Sequence, residues 1–599
     1  VKSLKDLWFQ VLRDLGNQCS ISTTRDGQTA AGRFEHEGLS FLTITLANFA
    51  SDLEKGLDRG FVDHDLFLGF KRRGGLPQFL GGFLDRVFDR GTGRLLDVPE
   101  IDSIFALRQL TKMFAKIEIP CSDARVSRAI SKYIECESDV KSNDRNLSPE
   151  LLEEFCRLSL IMFGDVLAEI DLAVYRGELT PKHGPGATAD RIRGNAKFDQ
   201  TEWTSRLEAV FPYGENCIPN WRFNYRLDPV HIREPGEERP VRVITVPKTL
   251  KTPRIIAIEP TCMQFMQQAI SERLVQCLET DRTVSGMLGF SDQSPNRRMA
   301  REGSLGSGLA TVDLSEASDR VSNQHVRAML RHFPHLREAI DATRSRKADV
   351  PGKGVIRLAK FASMGSALCF PIEAMVFATV AFMGIQHSRR RQFSRKDLKS
   401  YSGQVRVYGD DIIVPVDTLV HVIRYLEAFG LKVNTDKTFG TGKFRESCGG
   451  DYYDGVDVTP VRVRRILPAS RGDVPEVIAA VSLMNRLYSV GLWDSAKWVR
   501  ARLEALMGDL PRVHPTSPVL GWHSFLGYDT QRISASLHRP QVKGYVVTSK
   551  LPTSTVSGEG ALLKWFLKRG DEPFADRNHL ERSGRPRSVA IRPRWSNSV

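Results

Sequence analysis

The chain has 599 residues, with 85 Lys and Arg against 71 Asp and Glu and a formal charge of +14. Hydrophobic residues make up 41% and charged residues 26%, which excludes a disordered polyelectrolyte, and the length excludes a small binding module. A basic excess on a folded body of this size points to an anionic partner, most often nucleic acid. The nine cysteines are dispersed and none forms a CxxC metal or redox motif, so a reducing compartment is expected.

The opening VKSLKDLWFQVLRDL lacks the apolar run and cleavage site of a secretion signal, and none is expected there. Residues 1–150 read as mainly helical. The stretch 102–118 puts Ile104, Phe105, Leu107, Leu110, Met113, Phe114 and Ile117 on one stripe, with Asp102 as its predicted cap. Glycine pairs at 74–75 and 81–82 break the pattern before it. The charged piece 137–149 predicts a surface connection, and 151–173 a long helix with an apolar face. No internal repeat or low-complexity block is apparent. PKHGPGATA at 181–189 predicts a tight loop, followed by Arg191, Arg193 and Lys197. Free backbone N–H groups beside such cations can cradle phosphate, and a solvent-exposed connector is the plain alternative. His183 in that loop suits either template contact or a packed structural role.

Residues 241–260 read VRVITVPKTLKTPRIIAIEP, two short β-branched arms around a turn-rich centre, which predicts strand–loop–strand. Arg242, Lys248, Lys251 and Arg254 lie on or beside the loop, and such cations suit a triphosphate. A solvated hairpin tip would look the same in isolation.

Two later segments each deliver acids at a strand end. LATVD at 309–313 is an apolar strand that stops at Asp313, and a helix capped by Ser315 is predicted to carry Asp319 in its first turns. QVRVYGDDIIVPV at 404–416 predicts a hairpin with Asp410 and Asp411 at its turn. Adjacent carboxylates repel unless a cation sits among them. Phosphoryl transfer uses such acids to hold two divalent ions about 3.5–4 Å apart. Between these segments, 361–385 carries Glu373 as its only charge and is long enough for a membrane span. Pro371 and Glu373 near its middle argue instead for a buried helix whose first end lies near a working site, with Glu373 a hydrogen-bonded core acid.

YGDD at 408–411, preceded by DLSEASD at 313–319, resembles motifs C and A of right-hand RNA-dependent RNA polymerases. TVPKTLKTPRIIAIEP (245–260), SMG (363–365), NTDKTF (434–439) and FRESCGGDYYDGVDVTP (444–460) make the chain similar to the replicases of single-stranded RNA (levivirus-type) bacteriophages, most strongly over 240–500. The resemblance implies an α+β right-hand fold with fingers, a palm of antiparallel sheet plus helices, and a helical thumb. It divides the chain into an N-terminal region and fingers (1–240), a basic fingers hairpin and link (241–300), a palm (301–460, with part of the fingers inserted at about 335–360), and a thumb with a basic tail (461–599). Helices are predicted at 476–488 and 493–507. Arg582, Arg585, Arg587, Arg592 and Arg594 form the basic end, suited to RNA phosphates, an acidic partner, or a plain solubilising tail.

The implied activity is primer-independent, RNA-directed RNA synthesis from NTPs, with two Mg²⁺ ions, replaceable by Mn²⁺, on Asp313 and Asp410 and with Asp411 in support. Arg242, Lys248, Lys251 and Arg254 would hold the triphosphate. Ser363, Gly365 and Asn434 would line the nucleotide site, and Asp319 would lie near the ribose, six residues after Asp313 where the wider class has five. Lys437 would protonate or screen the pyrophosphate, with Lys432 the competing lysine. His183, Arg191, Arg193, Tyr408, Gly409 and Arg445 would touch RNA, and Cys448 would only pack. Implied partners are template and nascent RNA, host elongation factors Tu and Ts, a ribosomal RNA-binding protein and other host RNA-binding factors, in the bacterial cytoplasm and without a membrane. The rival readings are a reverse transcriptase and a non-catalytic viral RNA-binding protein.

Overall fold

The computed structural model describes residues 2–306, 308–550, 555–569 and 588–599. Two long apolar helices organise the centre of a mixed helix and sheet fold. The first, Pro149–Tyr175, starts where the Ser148 hydroxyl accepts the Leu151 N–H and Pro149 takes the first helical position, where no N–H is needed. The second, Cys369–Arg389, is long and apolar enough to cross a membrane, yet 94% of that apolar window is buried inside the protein. Its apolar residues are covered on all sides, including by Pro149–Tyr175 and Leu419–Ala428.

On this helix lies a four-stranded antiparallel sheet, in the order Arg406–Tyr408, Asp411–Pro415, Leu309–Ser315, Lys432–Val433. Its inward face, Ala310, Val312, Leu314, Ile412 and Val414, joins the core around the helix. Leu309 and Ile413 point the other way, against Met299 of Ser294–Ser304. A second sheet contains the predicted basic hairpin, with Val241–Val246 and Arg254–Ile258 paired antiparallel as Val246↔Arg254 through Arg242↔Ile258. Lys347–Val350 and Gly354–Arg357, within the 335–360 stretch, extend this sheet through a parallel pairing with Val241–Val246.

Packing links segments on both sides of the divisions drawn at 240 and 460. Apolar residues from Leu4 to Ile117 share one core with residues from Phe439 to Trp522, and helix Lys2–Gln18 packs on Trp493–Met507. The 137–149 connection is also corrected: helix Asp123–Asn146 runs through most of it, because Cys136, Glu137 and Val140 are buried against neighbouring elements. Asp102 lies in the first turn of Ile101–Lys112 without capping it; Glu100 holds the cap position. Helices Val474–Ser489 and Trp493–Met507 cover both stretches predicted near the end of the chain. Arg592 and Arg594 sit in a strand, Ser588–Asn597, paired along its length with Pro540–Lys550. Arg582, Arg585 and Arg587 lie outside the described residues.

One buried charge cluster joins residues 54–112 to residues 444–458. The Arg108 guanidinium is fully buried and pairs with Glu54, with Asp451 at 2.5 Å and, through Nε, with the Val458 carbonyl at 3.1 Å. It also lies 4.6 Å from the Phe444 ring centre, while Lys112 pairs with the same Glu54. Removing the cation leaves two buried carboxylates short of a partner, a loss of about 3–5 kcal/mol. Arg108→Met is therefore expected to lower the urea midpoint and to expose 1–117 to limited proteolysis. An unchanged midpoint would show that the cluster contributes nothing to joining these regions.

Candidate active site

Strand register brings the acids together. Asp313 is the direct cross-strand partner of Asp411, in a ladder that continues Ile412↔Val312 and Ile413↔Thr311. Opposed residues share a face of the sheet, with Cα atoms about 4.5–5.5 Å apart. Asp410 is next in the chain, so its Cα lies within about 9 Å of that of Asp313. Asp313 and Asp411 are half-buried on the face away from the long helix, and Asp410 is exposed.

The turn that presents Asp410 requires glycine. Tyr408 pairs with Asp411, leaving a two-residue loop whose first member, Gly409, has φ +59. A Cβ there would stand 2.6 Å from the Phe370 ring, so conformation and space both exclude a side chain. Tyr408 packs edge-on to Phe370 and its hydroxyl donates to the Phe290 carbonyl at 3.1 Å.

Burial raises Asp313 above the usual carboxylate range; Lys437 pulls it back, Asp410 raises it, and the Asn434 amide lowers it. Burial and then the Asp410 charge push Asp411 up to about 6. Asn434 Nδ2 donates to Asp313 Oδ2 at 2.7 Å, and Lys437 Nζ lies 3.8 Å from the same oxygen. Lys432 instead sits exposed at the sheet edge, opposite Ser315. Glu446 was not singled out from the sequence. It holds Lys437 well above the usual lysine range, with Asp313 adding to this and burial opposing it. Burial alone would raise Glu446, but Lys437, Lys112, Arg108 and Lys116 outweigh it and hold it at about 2.

The basic hairpin is coupled electrostatically to the same acids through Lys248. Lys248, Lys251 and Arg254 are exposed on it. Desolvation, Arg254 and Lys437 lower the Lys248 ammonium, against an opposing pull from Asp410 and Asp313. Arg242 points back to the Thr188 carbonyl at 3.4 Å. The 363–365 loop docks on the hairpin, where the Met364 carbonyl accepts the Ala257 N–H at 2.9 Å. Gly365 has φ +135, and a Cβ on it would run into the Ala257 carbonyl.

The helix predicted from Ser315 is broken. Ser315 ends the strand, Glu316 has φ +57, a single turn spans Ala317–Arg320, and Ser322 caps Asn323–Met329. The break turns Asp319 toward Ser363, whose hydroxyl donates to Asp319 Oδ1 at 2.9 Å.

Three expectations are corrected. His183 is stacked on Phe265 at 4.2 Å and edge-on to Phe198, and burial followed by the Lys197 charge lowers it to about 3; it is a packed structural histidine. Lys197 bonds the Gly184 and Gly186 carbonyls, so it braces the 181–189 loop rather than opening it to phosphate; Arg191 and Arg193 remain exposed. Arg445 is buried, with its guanidinium on the Leu309, Gly440, Gly442 and Phe444 carbonyls, which leaves it no face for RNA. All nine cysteines are free, and Cys448 is buried.

Among the described residues, no three acidic, histidine or cysteine side chains form a ready-made metal site. The donors do fit a hard divalent ion that keeps water and phosphate oxygens and takes only one or two carboxylates, as Mg²⁺ does. Burial raises Asp313 and Asp411 first, and the Asp410 charge that adds to it is what such an ion would relieve.

Glu373, beneath the turn, is 6% exposed; burial raises it to about 8, against a Ser318 hydrogen bond and with Asp410 adding. Its folded value exceeds the unfolded one, so the folded state holds the extra proton and loses stability as pH rises from about 4.5 to about 8. Glu373→Gln is expected to match wild type in urea unfolding at pH 5 and to exceed it at pH 9. Equal stability at both would show that the carboxyl ionises freely.

Residues 237–499 match the family model described as RNA replicase, beta-chain. The RNA-directed RNA polymerase subunit beta of Escherichia virus Qbeta is 39% identical over 259 residues, covering 42% of this chain and 40% of the relative. That of Enterobacteria phage SP is 35% identical over 42% of this chain and 40% of its own. The RNA-directed RNA polymerase beta chain of Escherichia phage MS2 is 34% identical over 359 residues, 58% of this chain and 59% of the relative. The matched stretch thus spans about two fifths to three fifths of these relatives' length. A human picorbirnavirus RNA-dependent RNA polymerase aligns with TM-score 0.33 and 12% identity over 44% of this chain and 57% of that one, too low to weigh on the assignment. The stretches 245–260, 313–319, 408–411 and 444–460 all lie inside the matched region, and over 237–499 this chain is similar to the RNA replicase beta chains of single-stranded RNA phages.

Proposed function

We propose that the chain is an RNA-directed RNA polymerase that copies a single-stranded RNA phage genome. The observation that carries this is the pairing of Asp313 with Asp411 beside the Gly409–Asp410 turn. In the reaction, the 3′-hydroxyl of the growing strand attacks the α-phosphorus of an NTP, a phosphodiester forms, and pyrophosphate leaves.

Asp313 and Asp410, with Asp411 in support, would hold two Mg²⁺ ions, for which Mn²⁺ could substitute. When bound, these supply Lewis-acid activation of the hydroxyl and charge neutralisation at phosphorus. The remaining work falls to the chain. Lys248, Lys251 and Arg254 grip the triphosphate, with Arg242 bracing the strand behind them. Lys437, 3.8 Å from Asp313 Oδ2, would screen or protonate the leaving pyrophosphate. Asn434 orients the Asp313 carboxylate, and Asp319 with Ser363 faces the ribose. Gly365 lets the loop lie close to the hairpin. Tyr408 and Gly409 shape the turn that meets the nascent strand, while Arg191 and Arg193 are placed for template phosphates.

On this reading the sheet of 309–315 and 406–415 is the palm, the hairpin sheet belongs to the fingers, and 474–507 to the thumb. Initiation without a primer, a holoenzyme with host elongation factors Tu and Ts and a ribosomal RNA-binding protein, and a cytoplasmic site of action follow from the same reading. Asp410→Asn, purified with co-eluting host proteins, is expected to lose NTP incorporation by on the order of a thousandfold or more while retaining RNA on filters. Incorporation at the wild-type rate would refute the polymerase assignment. Preference for deoxyribonucleotides would point to a reverse transcriptase.

A further inference from the structure

Behind Asp319 and Ser363 lies a lysine with no contact with solvent. Lys360, three residues before Ser363, is 0% exposed, and its Nζ donates to Asp319 Oδ1 at 3.0 Å. The same ammonium is 3.4 Å from Glu137 Oε1 and 3.7 Å from the centre of the Tyr133 ring. The Tyr133 hydroxyl is 3.1 Å from Ser363 Oγ, which itself bonds Asp319 Oδ1. Glu137 Oε2 accepts the Ala359 N–H at 2.7 Å, so the segment carrying Lys360 is tied to helix Asp123–Asn146 from both sides. Tyr133 and Glu137 stand one turn apart on that helix, on one face.

This arrangement is asymmetric at Asp319. Oδ1 is saturated by Lys360 and Ser363, whereas Oδ2 accepts no hydrogen bond among the described residues, and the Asp319 side chain keeps 24% of its surface exposed. A buried lysine that served only the core would be satisfied by Glu137 and the aromatic face. Here its shortest bond goes instead to a carboxylate with one oxygen left free. We propose that Lys360 is a positioning residue for sugar selection: it locks Asp319 Oδ1, and with it Ser363, so that Oδ2 is presented to the hydroxyl distinguishing a ribonucleotide from a deoxyribonucleotide. The proposal rests on the polymerase reading above. A site built to bond a hydroxyl rejects the analogue lacking it because its own polar group is left unpaired. That discrimination requires a carboxylate that cannot turn away, and misplacement by about 1 Å costs on the order of a hundredfold.

The test is single-nucleotide extension of an RNA primer on an RNA template by the full-length chain with its co-purifying host proteins, comparing kcat/KM for ATP and dATP. Lys360→Met is expected to reduce the ribo-to-deoxy ratio by about tenfold or more. The loss should come through a higher KM for ATP, with kcat/KM for dATP unchanged. An unchanged ratio, with both substrates falling together, would show that Lys360 only supports the fold and would overturn the proposal. Lys360→Met combined with Glu137→Gln removes the unpaired acid, and is expected to restore stability without restoring the ratio; a restored ratio overturns the proposal. If neither variant folds, Tyr133→Phe, which keeps the ring and deletes only the hydroxyl on Ser363, is expected to lower the ratio several-fold, and an unaltered ratio counts against the proposal. Asp319→Ala retaining the full ratio would end the sugar-selection role while leaving the polymerase reading intact. A wild-type chain that extends with neither nucleotide would instead sink the polymerase reading.

Discussion

Like charges held at cross-strand distance are the constraint on which the rest of this molecule turns. Asp313 and Asp411 face one another because Leu309–Ser315 and Asp411–Pro415 are held in register by apolar side chains on the opposite face, packed on a long buried helix. A one-residue slip would bury the acids and expose the valines and isoleucines, so the core enforces the electrostatic conflict. The glycine turn then adds Asp410 at the exposed end of the same pair.

The conflict is moderated by a layered set of charges. Lys437 and Asn434 face Asp313 directly, and Glu446 fixes Lys437 from behind. Beyond Glu446 come Lys112, Arg108, Glu54 and Asp451, which reach into the first hundred residues. Arg108 and Lys112 thus supply counter-charges to a site whose acids lie about two to three hundred positions later. On the other flank, Lys360 plays a comparable role for Asp319, using an aromatic face and a second acid from helix Asp123–Asn146. In both places a buried cation is held by more than one partner, as the high cost of an unpaired buried charge demands.

Much of the site was legible in the sequence because its signals are local. VRVITV and RIIAI became Val241–Val246 and Arg254–Ile258, since β-branched arms around a Pro- and Thr-rich turn have few other solutions. The apolar run containing Glu373 was correctly read as buried, because a proline and an acid suit a crowded interior better than lipid. Local reasoning failed where distant residues intervene. The charges in 137–149 suggested a connection, but packing of Cys136, Glu137 and Val140 carries the helix through. Arg445 and His183 looked available to RNA, but Arg445 is consumed by the Leu309 carbonyl together with carbonyls of its own segment, and His183 by the Phe265 and Phe198 rings. Nothing near Glu446 or Lys360 in the chain marks them, since their partners lie on other elements.

The amino-acid sequence alone determined where the strands end, which acids stand at those ends, and which cations share a turn with them, because alternation, turn chemistry and charge act over a few residues. Only the tertiary structure decided which acids oppose each other, which lysine reaches Asp313, and which arginine and histidine are consumed by packing. Those outcomes depend on register and burial, and both are set largely by contacts between segments that lie apart in the chain.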